Sequence, residues 1–593
     1  MNRPKALTGI KGNIKYRNIW GFDTEDNTKG EMIYGSFYDG KNFYGFKTPH
    51  DVMDLSRKIS DKYGKTKIHL AATNLEYDMN NAFKGYYDRI DIMYGMKLIN
   101  FRVKESNIYA FDTLNHYKES VAKQGERLGL NKIKYKFTPE SLKYSQKLID
   151  YNHQDSLITR TSAVEFQKAV NEFGAEMRDT IAGTSLNLFR RRFLPFEIQT
   201  TPDEVLDFLK QGYYGGRCEI INFEGIADET GDILYYDINS LYPDVMSNND
   251  FPDPNSRVMN QKSIDCEGVS ECDIEVFDTY LPYLPYKMQL PDKTFRLMFP
   301  IGKLQGCWSN FELRYALEHK LIKIHKIYKS VNYTKSGPYF KPYMDFMYNQ
   351  RMRYPDRNSP MNQAAKLFMN SLYGKFFEHV DSEGLLCDSG GIIEISKKEN
   401  YYPVHTNGIW SIHTTAKART KLYEGAQAVI KKHGEKHLYY YDTDSLMYKG
   451  RPGVLDEGKK IGQWKLEGKF KYAKYYLPKT YLMVDENNEA KITAKGIPLD
   501  KETEDIQNIV LNGFGGYDES FKIPLKFKYR LDFIQGDKVM INKPVKFKES
   551  YRLLDYKNKQ NVWREVPRRM IQAYSKRRVN IYNETLPIKR KDF

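Results

Sequence analysis

His437-Leu438-Tyr439-Tyr440-Tyr441-Asp442-Thr443-Asp444-Ser445-Leu446-Met447-Tyr448 brings apolar and aromatic runs up to a pair of aspartates from both sides. Such runs around a short polar break predict a strand, a tight turn and a returning strand. Asp442 and Asp444 then sit together at the tip of a hairpin. Carboxylates that close repel each other by several kcal/mol at low dielectric unless a cation lies between them. Taken alone, the pair reads as an Asx-type turn with solvated aspartates. Two further stretches change that reading. Ile233-Leu234-Tyr235-Tyr236-Asp237-Ile238-Asn239-Ser240-Leu241-Tyr242-Pro243 delivers a second strand-borne aspartate, with Ser240 and Pro243 marking the turn after it. Lys366-Leu367-Phe368-Met369-Asn370-Ser371-Leu372-Tyr373-Gly374-Lys375-Phe376 spaces Lys366, Asn370 and Tyr373 by four and then three. A helix carries all three on one face, and Gly374 lets that face approach a ligand closely.

The chain has 593 residues, enough for several domains. Its formal net charge of +16 calls for a polyanionic partner, nucleic acid or an anionic membrane surface. The 47 tyrosines and 32 phenylalanines interleaved with lysine favour nucleic acid, because every base offers a face for stacking. No apolar run reaches the length of a membrane span and Met1–Trp20 lacks a signal-peptide pattern, which predicts a soluble intracellular protein. The 5 cysteines form no Cys-x-x-Cys pair, against both a disulfide framework and a zinc site.

Acids of another kind mark the N-terminal part. Ile19–Glu25 reads as an apolar strand ending in Asp23-Thr24-Glu25, and Ile68–Asp78 as a strand running into Asn74-x-x-Tyr77-Asp78. Leu142–Gln167 has helical character, with Tyr151 and Asp155 four apart on one face. Asp23, Glu25, Asp78 and Asp155, with Tyr151, could close around two hard cations that activate water and stabilise a leaving phosphodiester oxygen. Any one of these acids by itself reads as a surface residue. Between these segments and Asp237, Gln211-Gly212-Tyr213-Tyr214-Gly215-Gly216-Arg217 offers backbone amides to a phosphate, with Tyr213 and Arg217 placed to flank a strand; a plain turn is the bland alternative.

The three acidic and lysine stretches together resemble the polymerase motifs Asp-x-x-Ser-Leu-Tyr-Pro, Lys-x-x-x-Asn-Ser-Leu-Tyr-Gly and Tyr-x-Asp-Thr-Asp-Ser of the family B DNA polymerases, in the expected order. The N-terminal acids resemble that family's 3′→5′ exonuclease motifs. The resemblance implies that Tyr151 orients the attacking water and that Asn74, Tyr77, Thr113 and Leu114 hold a frayed primer end. It leaves Lys132, Lys134 and Lys136 open as the exonuclease lysine. Asp26 stands where the resembling enzymes carry threonine, and Ala71 and Thr73 replace an aromatic and a histidine. The Gly-Gly stretch resembles the Tyr-x-Gly-Gly motif, implying that Tyr213, Gly215 and Gly216 meet DNA. Lys479-Thr480-Tyr481 resembles the Lys-x-Tyr motif, implying contact of Lys479, Thr480 and Tyr481 with primer terminus and triphosphate. Insertions at Phe251–Pro342 and Glu378–Pro403 lie where the protein-primed members, such as those of the phi-twenty-nine group of Bacillus phages, carry terminal-protein regions one and two.

The expected fold class is a multidomain α/β protein: a ribonuclease-H-like exonuclease domain followed by a right-hand polymerase of palm, fingers and thumb with two insertions. The expected divisions are exonuclease 1–178, first palm part 179–250, first insertion 251–342, fingers 343–377, second insertion 378–403, second palm part 404–499, and thumb with a basic tail 500–593. The basic clusters Arg568-Arg569, Lys576-Arg577-Arg578 and Lys589-Arg590-Lys591 are expected to track phosphates. The resemblance implies a proofreading, processive, strand-displacing DNA polymerase, primed by a protein. Asp237, Ile238 and Asp442 would hold two magnesium ions, with manganese as a substitute, and Asp444 would support them. The exonuclease acids would hold a second pair of ions. Lys366 and Lys479 would face the triphosphate, Ser240, Leu241, Asn370 and Tyr373 would complete its pocket, and Tyr242 would exclude a 2′-hydroxyl. Expected partners are primer-template DNA, deoxynucleoside triphosphates and a terminal protein, with no membrane, for a monomer in the cytoplasm of an infected or plasmid-bearing bacterial host. Two rivals are a family B enzyme that extends nucleic-acid primers or starts unprimed, and an inactive nucleic-acid-binding scaffold.

Overall fold

The computed structural model describes residues 5–494 apart from 28–30, 95–97, 136, 137, 139, 140, 290–294 and 388–392. Beyond 494 it describes only the short pieces 520–524, 539–541, 552–554, 563–567, 576–579 and 585–589, and between 381 and 399 only the backbone path of its two strands. Most of the expected thumb, Lys136, Arg568, Arg569, Arg590 and Lys591 lie outside the described residues.

The N-terminal part is organised on the strand Asn18–Asp26, whose run Ile19-Trp20-Gly21-Phe22 is buried throughout. Such a run suits a central strand covered on both faces. It pairs in parallel with Ile68–Ala72, which pairs in parallel with Ile108–Asp112, and antiparallel with Met32–Tyr38. The long helix Gln146–Glu172, capped by the Ser145 side chain accepting from Leu148 N, lies across this sheet. A side chain at position 21 would run into the backbone oxygen of Ser156, so Gly21 is what lets the helix settle on the strand. The full sheet has 9 strands, and its far edge is the hairpin Val380–Cys387 with Ile393–Tyr401, joined to Ile90–Tyr94. The segment expected as a second insertion thus contributes its hairpin to the N-terminal sheet.

The second architectural centre is a 5-stranded sheet in the order Cys218–Ile220, Leu438–Asp442, Ser445–Gly450, Asp232–Ile238 and Trp464–Phe470. Beside it lies a 4-stranded sheet of Glu224–Ile226, Tyr472–Leu477, Thr480–Val484 and Ala490–Ala494. The helix Ile409–His433 packs against the first sheet with nearly one whole face buried. Phe189, Phe340, Phe376 and Trp410 form one aromatic cluster, with Phe340 and Phe376 each 4.7 Å from Trp410. Each such ring pair adds about 0.5–1.5 kcal/mol beyond the area it buries. This cluster joins the linker after the N-terminal domain to the helix pair Lys341–Arg353 and Pro360–Ser371. The stretch expected as the first insertion contains a 4-stranded sheet with the helix Asn310–Glu318 against it. No helix among the described residues is long and apolar enough to cross a membrane.

Candidate active sites

The expected hairpin is present. Leu438–Asp442 and Ser445–Gly450 pair antiparallel, and Thr443 turns between them at a positive φ of 63°. The register sets Asp237 opposite Ser445 and Cys218 opposite Asp442, so Asp237, Asp442 and Asp444 share one end of the sheet. Burial, then the neighbouring Asp444, pushes Asp237 up to about 7. Burial and Asp442 likewise raise Asp444. Lys479, at the tight turn of the adjacent sheet (φ 64°), places its Nζ 2.6 Å from Asp442 Oδ1. Burial opposes the charge on Lys479, but the bond to Asp442 outweighs it and holds the ammonium above its ordinary value. Ile238 donates its N–H to Asp444 O at 2.8 Å and its side chain is buried, so only its carbonyl remains to meet a cation.

The Gly-Gly loop is built into this tip. Thr443 N donates to Arg217 O at 2.7 Å, and a Cβ at Gly216 would meet the Thr443 side chain at 2.8 Å. Gly215 has open space around it. Arg217 corrects its expectation: it is 2% exposed, donates to Glu219 Oε2 and Pro282 O, and cannot flank a strand. Tyr213 rests on Phe377 with ring centroids 4.7 Å apart. Sequence reasoning missed Arg419, which donates to Gly215 O at 2.9 Å while pairing in two-pronged fashion with buried Glu312. No sequence signal set it apart from Lys417 and Lys421 on the same helix.

The helix Pro360–Ser371 exposes Lys366 and Asn370 together, as the spacing predicted, with Asn370 Nδ2 donating to Lys366 O. The α-helix ends at Ser371, and Tyr373 follows in a 3-10 turn with its ring centroid 4.4 Å from that of Tyr242. Ser240 takes a left-handed conformation ahead of the helix Leu241–Asn248. Leu241 is buried, so a triphosphate could meet only its backbone. Thr480 and Tyr481 are also buried, Tyr481 beside Tyr440 and Tyr475; as placed, Lys479 is the member of its motif that reaches the site.

In the N-terminal domain Glu25, Asp78 and Asp155 are 7%, 1% and 3% exposed, and Asp23 is partly open. They come from the strand Asn18–Asp26, the helix Leu75–Ala82 and the helix Gln146–Glu172. Asp78 Oδ1 accepts from Thr24 N and Thr24 Oγ1, both at 2.9 Å, and Asp23 Oδ2 accepts from Asn152 Nδ2 at 2.8 Å. Burial first, then mutual repulsion, raises Asp23 and Asp78 well above the ordinary carboxylate range, and burial pushes Glu25 up to about 8. Lys132 Nζ pairs with Asp155 Oδ2 and lies 4.7 Å from the centre of the Tyr151 ring. That contact distinguishes Lys132 from Lys134; Lys136 lies outside the described residues. Asp155 is otherwise buried, with Tyr151 and Lys132 both bearing on its carboxylate.

Of the residues expected at a primer end, Asn74 is in a left-handed conformation with its N–H on Asp112 Oδ1, and Leu114 N donates to the same oxygen at 2.8 Å. Thr113 is fully buried with its hydroxyl 2.9 Å from that of Thr73, so its side chain does not face a ligand as expected. Tyr77 OH donates to Asp26 Oδ1 at 2.5 Å, which ties the departure at Asp26 to a residue of the expected strand grip. In the tail, Lys576 Nζ donates to Cys218 O at 2.7 Å and Arg577 is 2% exposed; both are tied into the palm rather than free to track phosphates.

Both acid sets suit hard divalent cations: oxygen donors only, repelling one another, with a lysine on one acid of each. Among the described residues no three His, Cys, Asp or Glu side chains are already closed into a metal cage. A cation would have to draw these open clusters together.

Residues 41–403 match the family described as DNA polymerase type B, organellar and viral. The DNA polymerase of Bacillus phage phi29 is 27% identical over 369 residues, 59% of this chain and 60% of that protein. The DNA-directed DNA polymerase of Enterobacteria phage PRD1 is 25% identical over 365 residues, 57% of this chain and 61% of that one. The chain therefore spans about 60% of the length of the curated relatives it matches. Among solved structures, phi29 DNA polymerase complexed with primer-template DNA and incoming nucleotide substrates superposes with a TM-score of 0.68 at 19% identity, covering 86% of this chain and 97% of that chain. That likeness shows the fold: an exonuclease-type α/β domain followed by a family B polymerase domain.

Proposed function

The chain belongs to the organellar and viral type B DNA polymerases, and from that membership we propose that it is a DNA-directed DNA polymerase with a 3′→5′ proofreading exonuclease, protein-primed, processive and strand-displacing, which replicates a linear viral or plasmid genome. One observation carries the reading: two separate carboxylate clusters, each with one lysine laid on one of its acids. Primer-template DNA, deoxynucleoside triphosphates and a terminal protein are the proposed partners.

Asp237, Asp442 and the Ile238 carbonyl would hold the cations of the polymerase site, and Asp23, Glu25, Asp78 and Asp155 those of the exonuclease. Magnesium there supplies Lewis acidity and charge neutralisation at the transferring phosphoryl group. Lys366 and Lys479 balance triphosphate charge, with Lys366 placed to give a proton to the leaving pyrophosphate. Asp444 carries the backbone bond that fixes Ile238. Tyr242 lies under the sugar, and its ring leaves no room for a 2′-hydroxyl. In the exonuclease, Tyr151 stays a neutral phenol, its ionisation opposed by burial and by Asp155, and can donate to an attacking water. Lys132 neutralises Asp155 and faces the charge that develops on the scissile phosphate. The Glu378–Pro403 hairpin, continuous with the N-terminal sheet, supports a part in closing the enzyme around downstream template.

The test uses the full chain with a labelled primer on a single-stranded circle. With magnesium and all four deoxynucleotides the primer should be extended to strands longer than the circle; without nucleotides it should be shortened from its 3′ end. Absence of both activities in folded protein would sink the reading.

A further inference from the structure

The strand Asn18–Asp26 has two ends, and the acids use only one. Asn18 begins it and Asp23 lies five residues on, about 17 Å away at the usual rise of a strand. Around the Asn18 end lies a cavity of about 770 Å³, bounded by the segment Ile10–Asn18, the start of Ile68–Ala72 and the linker at Glu176–Asp179. This is the size of a pocket for a small ligand or a short length of chain, and too small for a duplex.

Its floor is electrically settled. Glu176 pairs with Arg178 at 3.0 Å and with Arg191, and Asp179 pairs with Arg17 at 2.8 Å. His69 stays neutral, because burial and then Arg17 push it down to about 3. Its rim is not settled. Lys11, Lys15 and Lys67 are exposed, and among the described residues no carboxylate lies within ion-pair distance of their ammonium groups. Beside them Tyr16 is 71% exposed, among the most open large rings of the molecule. The segment that carries Lys11, Lys15 and Tyr16 is nonetheless pinned: Ile10 N donates to Arg190 O, Arg191 Nη1 donates to Gly12 O at 2.9 Å, and Arg17 exchanges two bonds with Gln167. An exposed aromatic beside Lys11 and Lys15 on a segment of fixed path, with Lys67 across from them resting over the Tyr109 ring and none of the three on a carboxylate, is the pattern that binds a flexible phosphate chain with stacked bases.

We propose that this groove is a binding site for a single strand of nucleic acid, separate from both clusters of acids. The lysines meet successive phosphates and Tyr16 stacks on a base. Phosphates and the stacking faces of bases are common to every sequence, so the site takes a strand with little regard to sequence. A strand held there leaves the Asp23 end of the sheet free.

The test measures anisotropy of a short fluorescent oligothymidylate on the full chain. Asp23→Ala with Asp78→Ala prevents digestion of the probe, and excess unlabelled primer-template fills the main cleft. Lys11→Gln/Lys15→Gln/Lys67→Gln should weaken binding at least tenfold. It should also lower the slope of log affinity against log salt by about 2, at about 0.7 per phosphate for single strands. Tyr16→Ala, which leaves the charges alone, should weaken binding about fivefold or more, and it decides the matter if the triple variant loses stability. Extension of a primer across a short gap should be unchanged in both. Unchanged affinity and slope in these variants, or competition by inorganic phosphate as effective as by unlabelled oligothymidylate, would overturn the proposal.

Discussion

The acids of the proposed exonuclease site converge from three elements and sink into the protein; those of the proposed polymerase site sit at one end of a single sheet, on two strands and the turn beside them, and stay partly open. The lysines follow the same division. The Lys132 side chain is 27% exposed against 5% for the side chain of Asp155, whereas the Lys479 side chain is 45% exposed against 16% for that of Asp442. Burial is the first cause of the raised carboxylates in both places, acting on more enclosed acids in the first. One chain thus builds similar sets of acids by two routes, packing of a helix on a strand and the tip of a hairpin. Changes to one should leave the other alone.

The largest expected effect breaks the comparison outright. Asp442→Ala should lower primer extension by at least about a thousandfold while 3′ excision persists, and Asp23→Ala with Asp78→Ala should do the reverse. Loss of both activities in either folded variant would mean the sites are not separate. Next come the lysines. Lys479→Met and Lys132→Met should each cost about a hundredfold in only one activity, as removal of one oriented charge does; equal losses in both activities would deny these lysines their separate sites. Removing Glu378–Pro403 should leave short gap filling near normal yet shorten products on a primed circle severalfold. Full-length displacement by that variant would remove the hairpin from processivity and weaken the case for protein priming.

The smaller effects sharpen the comparison through pH. Glu25 gives up its proton near 4.5 when unfolded but only near 8 when folded, so between those values the folded state binds more protons. Stability of the metal-free protein is then greatest at the acid end of that window and falls as pH rises toward 8. A melting temperature in chelator that drops over this range, and recovers on adding magnesium, is the expected result. A flat profile would mean the acids are better compensated than their burial implies. Asp26→Asn should do least: it removes a charge that also presses on Glu25 but keeps an acceptor for Tyr77. Excision should change by less than about tenfold, mostly through KM for the oligonucleotide, because the charge opposes a phosphate strand.

The parts of this molecule that were legible in the sequence are those where one short stretch carries both the element and the chemistry. The hairpin around Thr443, the helix face of Lys366 and Asn370, and the strand carrying Asp23 and Glu25 were all of this kind. What could not be read was whatever depends on a partner far along the chain. Lys132 could not be told from Lys134 until the helix carrying Asp155 had docked at Gly21. Arg217 looked like a strand-flanking cation until Glu219 and Pro282 enclosed it. Arg419 carries no local motif, yet it holds the Gly215 loop from a distant helix. Thr113 and Thr480 show the opposite failure, where a motif position turned out to point inward.

The most direct test of the central claim counts cations. Binding of manganese to the metal-free protein, followed by its electron paramagnetic resonance signal, reports the sites without any turnover. Two classes of bound ion are expected; Asp442→Ala should remove one class, and Asp23→Ala with Asp78→Ala the other. A single class, or two classes that neither substitution alters, would contradict the assignment of two independent metal-holding active sites to this chain.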